Sequence, residues 1–310
     1  MNTLYILNHV VFSVFMTLLL VEGGFAITAL VAYEKYKERL MSYITPIWEV
    51  TGTFAVFYVV NFEATFPKLL GVVGTLYALP LLVAAALIIL RNVFLIHGEY
   101  QGDVGREARY LKIYALSTVV ALVILLSVLS SAITGAGINT TAVTASLAMY
   151  LNPFNLIAIA SALLVSLSLA IGIFRIGNLD RLGWLPLALA FALFYIGIAA
   201  FAPSLSANLG AFVGFIAAFV ILVAVLGILQ ARSWKHSGKL SVFAVLFAIG
   251  LVGMIEYPYI FGSADINAYL NSSALAGPIV TITLVGGSIV AASLAYLIYI
   301  SYLRRGAYED

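Results

Sequence analysis

The chain has 310 residues, of which 64% are hydrophobic and 9% charged, with a mean hydropathy of +1.12; a soluble domain carries about 25% charged residues, so a water-soluble globular fold is excluded. A net charge of +2 with no clustered basic groove excludes nucleic acid as a partner. With no cysteine the chain holds no disulfide, no iron–sulfur cluster and no thioether-linked haem.

Apolar segments of about 20 residues recur along the whole length, which is what a helix needs to cross a hydrocarbon core of about 30 Å. Backbone in lipid must satisfy its own hydrogen bonds, and helices do so. The pattern predicts an all-α, polytopic membrane protein with residues 1–310 as a single transmembrane helical domain. Nine transmembrane helices are expected, over Thr3–Ala32, Ile47–Phe66, Leu69–Ile96, Leu111–Ile133, Asn155–Phe174, Trp184–Phe201, Leu209–Gln230, Leu240–Tyr257 and Ile279–Leu303. The first lacks a basic n-region and outruns a signal peptide's apolar core, so it reads as a span.

The basic residues sort by connection. Lys35, Lys37 and Arg39 follow the first span; Arg91, Arg106, Arg109 and Lys112 gather after the third; Arg175 and Arg181 follow the fifth; Arg232, Lys235 and Lys239 the seventh; Arg304 and Arg305 the ninth. Lys68 alone falls on the other side. The positive-inside rule then puts the N-terminus outside and the C-terminus in the cytoplasm. The triplets Asn139-Thr140-Thr141 and Asn271-Ser272-Ser273 have the form of glycosylation acceptors and lie in loops assigned outside. The longest outside loops, Thr134–Phe154 and Pro258–Pro278, are rich in Ser, Thr, Asn and Ala and are expected to form short ordered caps.

Residues Pro46 to Arg91 organise the rest. They read as two hydrophobic helices joined at a Phe66-Pro67 corner, with Glu49 and Glu63 at the ends of the first and Arg91 closing the second. Together with Glu22 and Glu256 these make four carboxylates inside spans. A charge at mid-bilayer costs about 2.5–3.5 kcal/mol on insertion scales, so such groups are candidates for ion or proton handling, or else stay protonated and bond a neighbouring helix. Glu63 and Glu256 lie near the outer surface, within a short reach of water. Glu22 is expected roughly 15 Å above the inner edge, and Glu49 close to that edge, as two steps of one inlet. Gly23, Gly24 and Gly52 beside them serve close helix approach or a bound water. Glu49, Gly52, Thr53, Val56, Val60 and Glu63 share one helix face, expected to meet another helix or subunit.

Three further groups are weighed. His9 in the first span could ligate haem iron, but no second ligand is visible, and a hydrogen-bonded histidine explains it as well. His97, after Arg91, could assist proton entry or be a plain loop residue; His236 beside Trp234 reads as an interfacial anchor. Arg91 snorkels or pairs with a carboxylate. There is no phosphate-cradling glycine loop, no HExxH and no GxSxG, so the chain holds no complete active site.

Pro46-Ile47-Trp48-Glu49, Phe66-Pro67, and Leu79-Pro80 through Leu90-Arg91 resemble the Pro-Val-Trp-Asp start, Phe-Pro corner and Leu-Arg close of subunit II of cytochrome bd-type quinol oxidases. Val21-Glu22-Gly23-Gly24-Phe25 resembles that family's Leu-Asp-Gly-Phe-Asp element. Tyr257-Pro258-Tyr259-Ile260-Phe261-Gly262-Ser263, Asn271-Ser272-Ser273 and Gly277-Pro278-Ile279-Val280 resemble its Phe-Pro-Tyr-Ile loop, its Asn-containing turn and its final span. The likeness covers both ends of the chain, while the spans between match in hydropathy alone. It implies a nine-helix subunit of a prokaryotic cell membrane that binds no cofactor by itself. Its partner would be a haem-bearing subunit I, which holds haems b and d, oxidises quinol and reduces oxygen to water. Glu49 and Glu22 stand at the family's acidic positions and become proton relays toward that partner, with Glu63, Glu256, His97 and Arg91 as weaker members. The resemblance leaves open a small accessory subunit and a structurally bound quinone. Val50-Thr51-Gly52 departs from the family's Gly-Asn-Glu/Gln, and Ile96 stands where an acidic residue usually follows the arginine, which makes this a divergent member with a rerouted proton entry. Two rival readings use the same residues: a proton-coupled secondary transporter, which predicts an internal repeat, and an idle assembly subunit, in which the glutamates are dispensable.

Overall fold

The computed structural model describes residues 2–100, 106–174, 177–202, 209–232 and 237–306. Arg175 and the Trp234-Lys235-His236 anchor lie outside them.

The chain is all-helical. Helix α1 runs Thr3–Thr65, α2 Pro67–Leu76, α3 Ala78–Tyr100, α4 Glu107–Thr134, α5 Ala148–Leu151, α6 Pro153–Phe174, α7 Trp184–Phe201, α8 Leu209–Ala231, α9 Ser237–Glu256 and α10 Ser273–Gly306. Among the described residues seven helices are long and apolar enough to cross a membrane, or eight if the bent pair Pro46–Thr65 and Pro67–Leu76 is one span. Leu240–Glu256 is apolar but shorter.

Two expected boundaries are corrected. The first span does not end at Ala32: helix continues through Lys35, Lys37 and Arg39, interrupted only by non-helical backbone at Ala32 and Tyr36. No glycine or proline stands between Ala32 and Pro46, and Glu34, Lys35, Lys37, Glu38, Arg39, Leu40 and Met41 are good helix formers, so nothing local stops the helix. The third span, expected as one helix over Leu69–Ile96, is broken at Tyr77, which has φ −115° and ψ 20°. Pro80 is the cause: it has no N–H to offer the Leu76 carbonyl four residues back, and its ring crowds that carbonyl.

The corner at Phe66-Pro67 turns the chain by 116°. Pro67 starts α2 at the position where a missing N–H costs nothing. The carbonyls stranded by the turn are taken up by Asn271, whose backbone N–H donates to Thr65 O and whose side-chain Nδ2 donates to Ala64 O, both at 2.9 Å. That side-chain amide is therefore committed to the fold.

Both outside loops form ordered caps. Ile138–Asn139 (β1) pairs antiparallel with Thr144–Ala145 (β2), and Tyr259–Ile260 (β3) with Ala264–Asp265 (β4). The caps lock together where Phe261 N–H donates to Ala132 O at 2.6 Å. Gly135 at φ +67° lies so close to Phe261 that a Cβ there would overlap its carbonyl. Phe66, Leu69 and Tyr77 of the corner region pack beneath these caps with Met149, Phe261 and Ile266.

Helix α1 is central. Its most apolar stretch is 67% buried, against 6% for that of Ser273–Tyr296. Met16, Leu19, Leu20 and Val21 meet Leu122 and Leu126 of α4, Val165 and Leu169 of α6, Phe191 of α7, Leu226 of α8 and Val245 of α9 in one core. The same central helix carries Glu22.

Candidate functional site

Glu22 is fully buried, at 0% exposure, and Arg91 is 5% exposed. Arg91 Nη1 donates to Glu22 Oε1 at 2.5 Å, and the Tyr114 hydroxyl donates to the same oxygen at 2.5 Å. Helices α1, α3 and α4 thus meet at one carboxylate oxygen. A buried charge is tolerable only when paired and bonded, and this cluster meets that condition. The other carboxylate oxygen, Oε2, and Arg91 Nε are both buried with no partner within the protein. Of the two readings open for Arg91, pairing with a carboxylate is the one the structure takes.

Local sequence explains the approach. At Gly23 a Cβ would come within 2.9 Å of Ser166 Oγ, and at Gly24 within 2.4 Å of the Ser166 backbone oxygen. The glycine pair therefore lets α1 and α6 touch backbone to backbone, and of its two expected uses close helix approach is the one seen. Tyr114, completely buried, packs edge-on against Phe25.

Glu49 stands apart from Glu22. It lines an open groove of about 650 Å³ with Trp48, Gly52, Thr53, Asn92, Ile289 and Ser293, between the second half of α1, α3 and α10. Trp48 Nε1 donates to Asn92 Oδ1 at 2.8 Å. The two carboxylates therefore flank α3 at consecutive residues, Arg91 serving Glu22 and Asn92 sharing the groove with Glu49. They do not line a common inlet.

The shared face of the second half of α1 is open, as its spacing suggested: Val56 is 66% exposed and Val60 58%, and Glu63 is exposed beside them. Above the groove, Asn8 Nδ2 donates to Asn61 Oδ1 at 2.8 Å and Asn61 Nδ2 to Thr283 Oγ1 at 2.5 Å, a buried polar chain across α1 and α10. Glu256 is half-buried and, with His9, lines an apolar cavity of about 130 Å³ between α1, α4, α6, α7 and α9.

His9 does not fit haem ligation. Its Nε2 sits 3.0 Å from the Ile249 carbonyl, and its ring fills the notch left by Gly253, where a Cβ would collide with it. The adjoining cavity is far smaller than a porphyrin. His97 is exposed, with Nδ1 3.0 Å from the Val93 carbonyl of its own helix. Among the described residues no three His, Asp or Glu side chains gather as a metal-binding group.

Sequence reading missed Tyr114, Asn92 and Asn61. Each is a single polar or phenolic group in an apolar run, and only Tyr114 carried a hint, in Thr118 one turn later on the same face. Glu107 was also missed; it binds Lys37 Nζ at 2.7 Å and the Tyr33 hydroxyl at 2.9 Å, tying the extension of α1 to α4.

Residues 2–303 match the family described as cytochrome bd terminal oxidase subunit II. No curated protein matches the sequence. Among solved structures the chain is similar to one from the bd oxidase of Geobacillus thermodenitrificans, at 18% identity with a TM-score of 0.75, covering 96% of each chain. At that identity the likeness is one of fold.

Proposed function

The chain belongs to the cytochrome bd terminal oxidase subunit II family, and from that premise we propose that it is the non-haem subunit of a membrane quinol:oxygen oxidoreductase. It is a multi-pass protein of a prokaryotic membrane and part of a hetero-oligomeric oxidase. In the proposed assembly it has nine spans, an outer N-terminus and a cytoplasmic C-terminus, and it is seated against a haem-bearing subunit I that takes electrons from quinol and reduces oxygen.

One observation carries the reading. The open face made by the second half of α1, α3 and α10 holds carboxylates, Glu49 in its groove and Glu63 exposed, at membrane depth. Charged groups at that depth face protein or a water-filled cavity rather than lipid. A second subunit covering this face supplies that environment, and Glu49 then stands at the seam between the subunits. From the cytoplasm a proton reaches Glu49 in the groove and passes into the partner; Glu22, one residue away along α3 through Arg91 and Asn92, is the buried relay. Oxygen reduction consumes protons at the haem, and the haem supplies the electron and oxygen chemistry. This chain's part is to hold carboxylates where protons can be handed on. Glu63, Glu256 and His97 lie off that line and serve as secondary groups.

Quinol-driven oxygen uptake by assembled complexes carrying Glu49→Ala and Glu22→Ala tests the relay. Each is expected to lose activity while keeping its haem content; full uptake in both refutes it.

A further inference from the structure

We propose that Glu22 Oε2 and Arg91 Nε together hold a single buried water, and that Tyr114 is the positioning residue that turns the carboxylate toward it. The inference deepens the relay reading of Glu22 and rests on it for its functional half.

The geometry is lopsided. Two donors, Arg91 Nη1 and the Tyr114 hydroxyl, converge on Oε1 at 2.5 Å each. A free arginine–carboxylate pair prefers the two-pronged arrangement, with a second nitrogen on the second oxygen. Here Oε2 keeps its lone pairs and Arg91 Nε keeps its proton, both buried and unpaired within the same ion pair. One is an acceptor and the other a donor, so a water that donates to Oε2 and accepts from Nε satisfies both. Ser166 Oγ, buried and unpaired against Gly23, adds a third unsatisfied polar atom to the same contact between α1 and α6. Buried waters in proteins typically make about three such bonds. Leaving a buried charged group half-satisfied is the costlier alternative.

The site cannot fill itself from its surroundings. Thr118 Oγ1 is spent on the Tyr114 carbonyl at 2.8 Å. The next two positions on α1, Gly23 and Gly24, have no side chain to offer. Tyr114 decides which carboxylate oxygen is left free: its hydroxyl takes Oε1, so Oε2 faces the water. In the relay, that water is the group from which Glu22 receives a proton and to which it returns one.

The test uses the whole oxidase complex. A cryo-electron-microscopy map sharp enough for ordered water should show one density within hydrogen-bond reach of Oε2 and Nε; a dry site, or either atom bonded to protein, overturns the proposal. Tyr114→Phe keeps the buried ring and removes only the hydroxyl. It should move the infrared carboxylate band that Glu22→Gln abolishes, and lower kcat about tenfold, the scale of one hydrogen bond to a charged group, with quinol KM and haem content unchanged. In a Glu22→Gln background Tyr114→Phe should add no further loss. An unmoved band, or an additive loss, refutes the positioning role; if the variant does not assemble, the parent map decides. Full activity of Glu22→Gln with the water present removes the relay reading and leaves the water site standing.

Discussion

Replacing Arg91 with methionine should destabilise the protein far more than removing the whole ion pair. Methionine roughly fills the aliphatic volume of the side chain but offers no donor. Glu22, at 0% exposure, would be left with the Tyr114 hydroxyl alone on Oε1 and nothing on Oε2. Breaking a buried pair by taking one partner costs about 3–5 kcal/mol, because a desolvated charge remains behind. In a protein of roughly this size 1 kcal/mol moves the midpoint by about 2–4 °C, so Arg91→Met should unfold on the order of 10 °C below the parent. Glu22→Gln/Arg91→Met removes both charges, and a glutamine oxygen can still accept from Tyr114. Replacing a buried pair by neutral groups of similar volume is close to neutral, so the double variant should recover at least half the lost midpoint. The assay is a thermal melt of the purified complex in detergent, followed by tryptophan fluorescence at one fixed scan rate, since unfolding of such a protein is kinetically governed. A single variant within about 2 °C of the parent, or a double variant no better than the single, would show that the pair is not what holds α1, α3 and α4 together.

Two further outcomes follow from the packing and the caps. Gly24→Ala places a Cβ 2.4 Å from the Ser166 backbone oxygen, an overpacking worth about 1–3 kcal/mol; subunit yield in membranes should fall steeply, while Gly214→Ala, which meets nothing within 4 Å, should leave it unchanged, and equal yields would refute the close contact of α1 and α6. A cysteine at Thr141, exposed at the tip of the first cap hairpin, should react with an impermeant maleimide from the outer side of sealed vesicles; labelling from the cytoplasmic side alone would invert the orientation.

Class and segmentation were largely readable before any coordinates. A mean hydropathy of +1.12 and recurring apolar runs leave helices as the structure lipid permits, and Trp184–Phe201 begins and ends where its Trp and the following Pro203 place it. The corner at Phe66-Pro67 was equally legible, because proline's missing N–H acts within one turn of itself. Pro80 should have been read the same way: its effect falls four residues upstream, at Leu76 and Tyr77, where an apolar run conceals it.

The site was legible only in its charged members. Glu22, Glu49 and Arg91 are conspicuous in apolar helices because each carries a cost that must be offset somewhere. What offsets it depends on which residues distant in sequence arrive at the same place. Arg91 and Tyr114 are 69 and 92 positions from Glu22, and no local periodicity encodes such a meeting. The same is true of the separation of the two glutamates. Rise per residue along a helix places Glu22 and Glu49 at different depths, but it took the packing of α3 between them to turn Arg91 toward one and Asn92 toward the other. Sequence alone decided that the chain lies in lipid and where its helices run, since those follow from transfer energies and backbone hydrogen bonding. Tertiary structure decided which acid is sealed in an ion pair and which is left facing a neighbour, since that follows from side-chain contacts between helices.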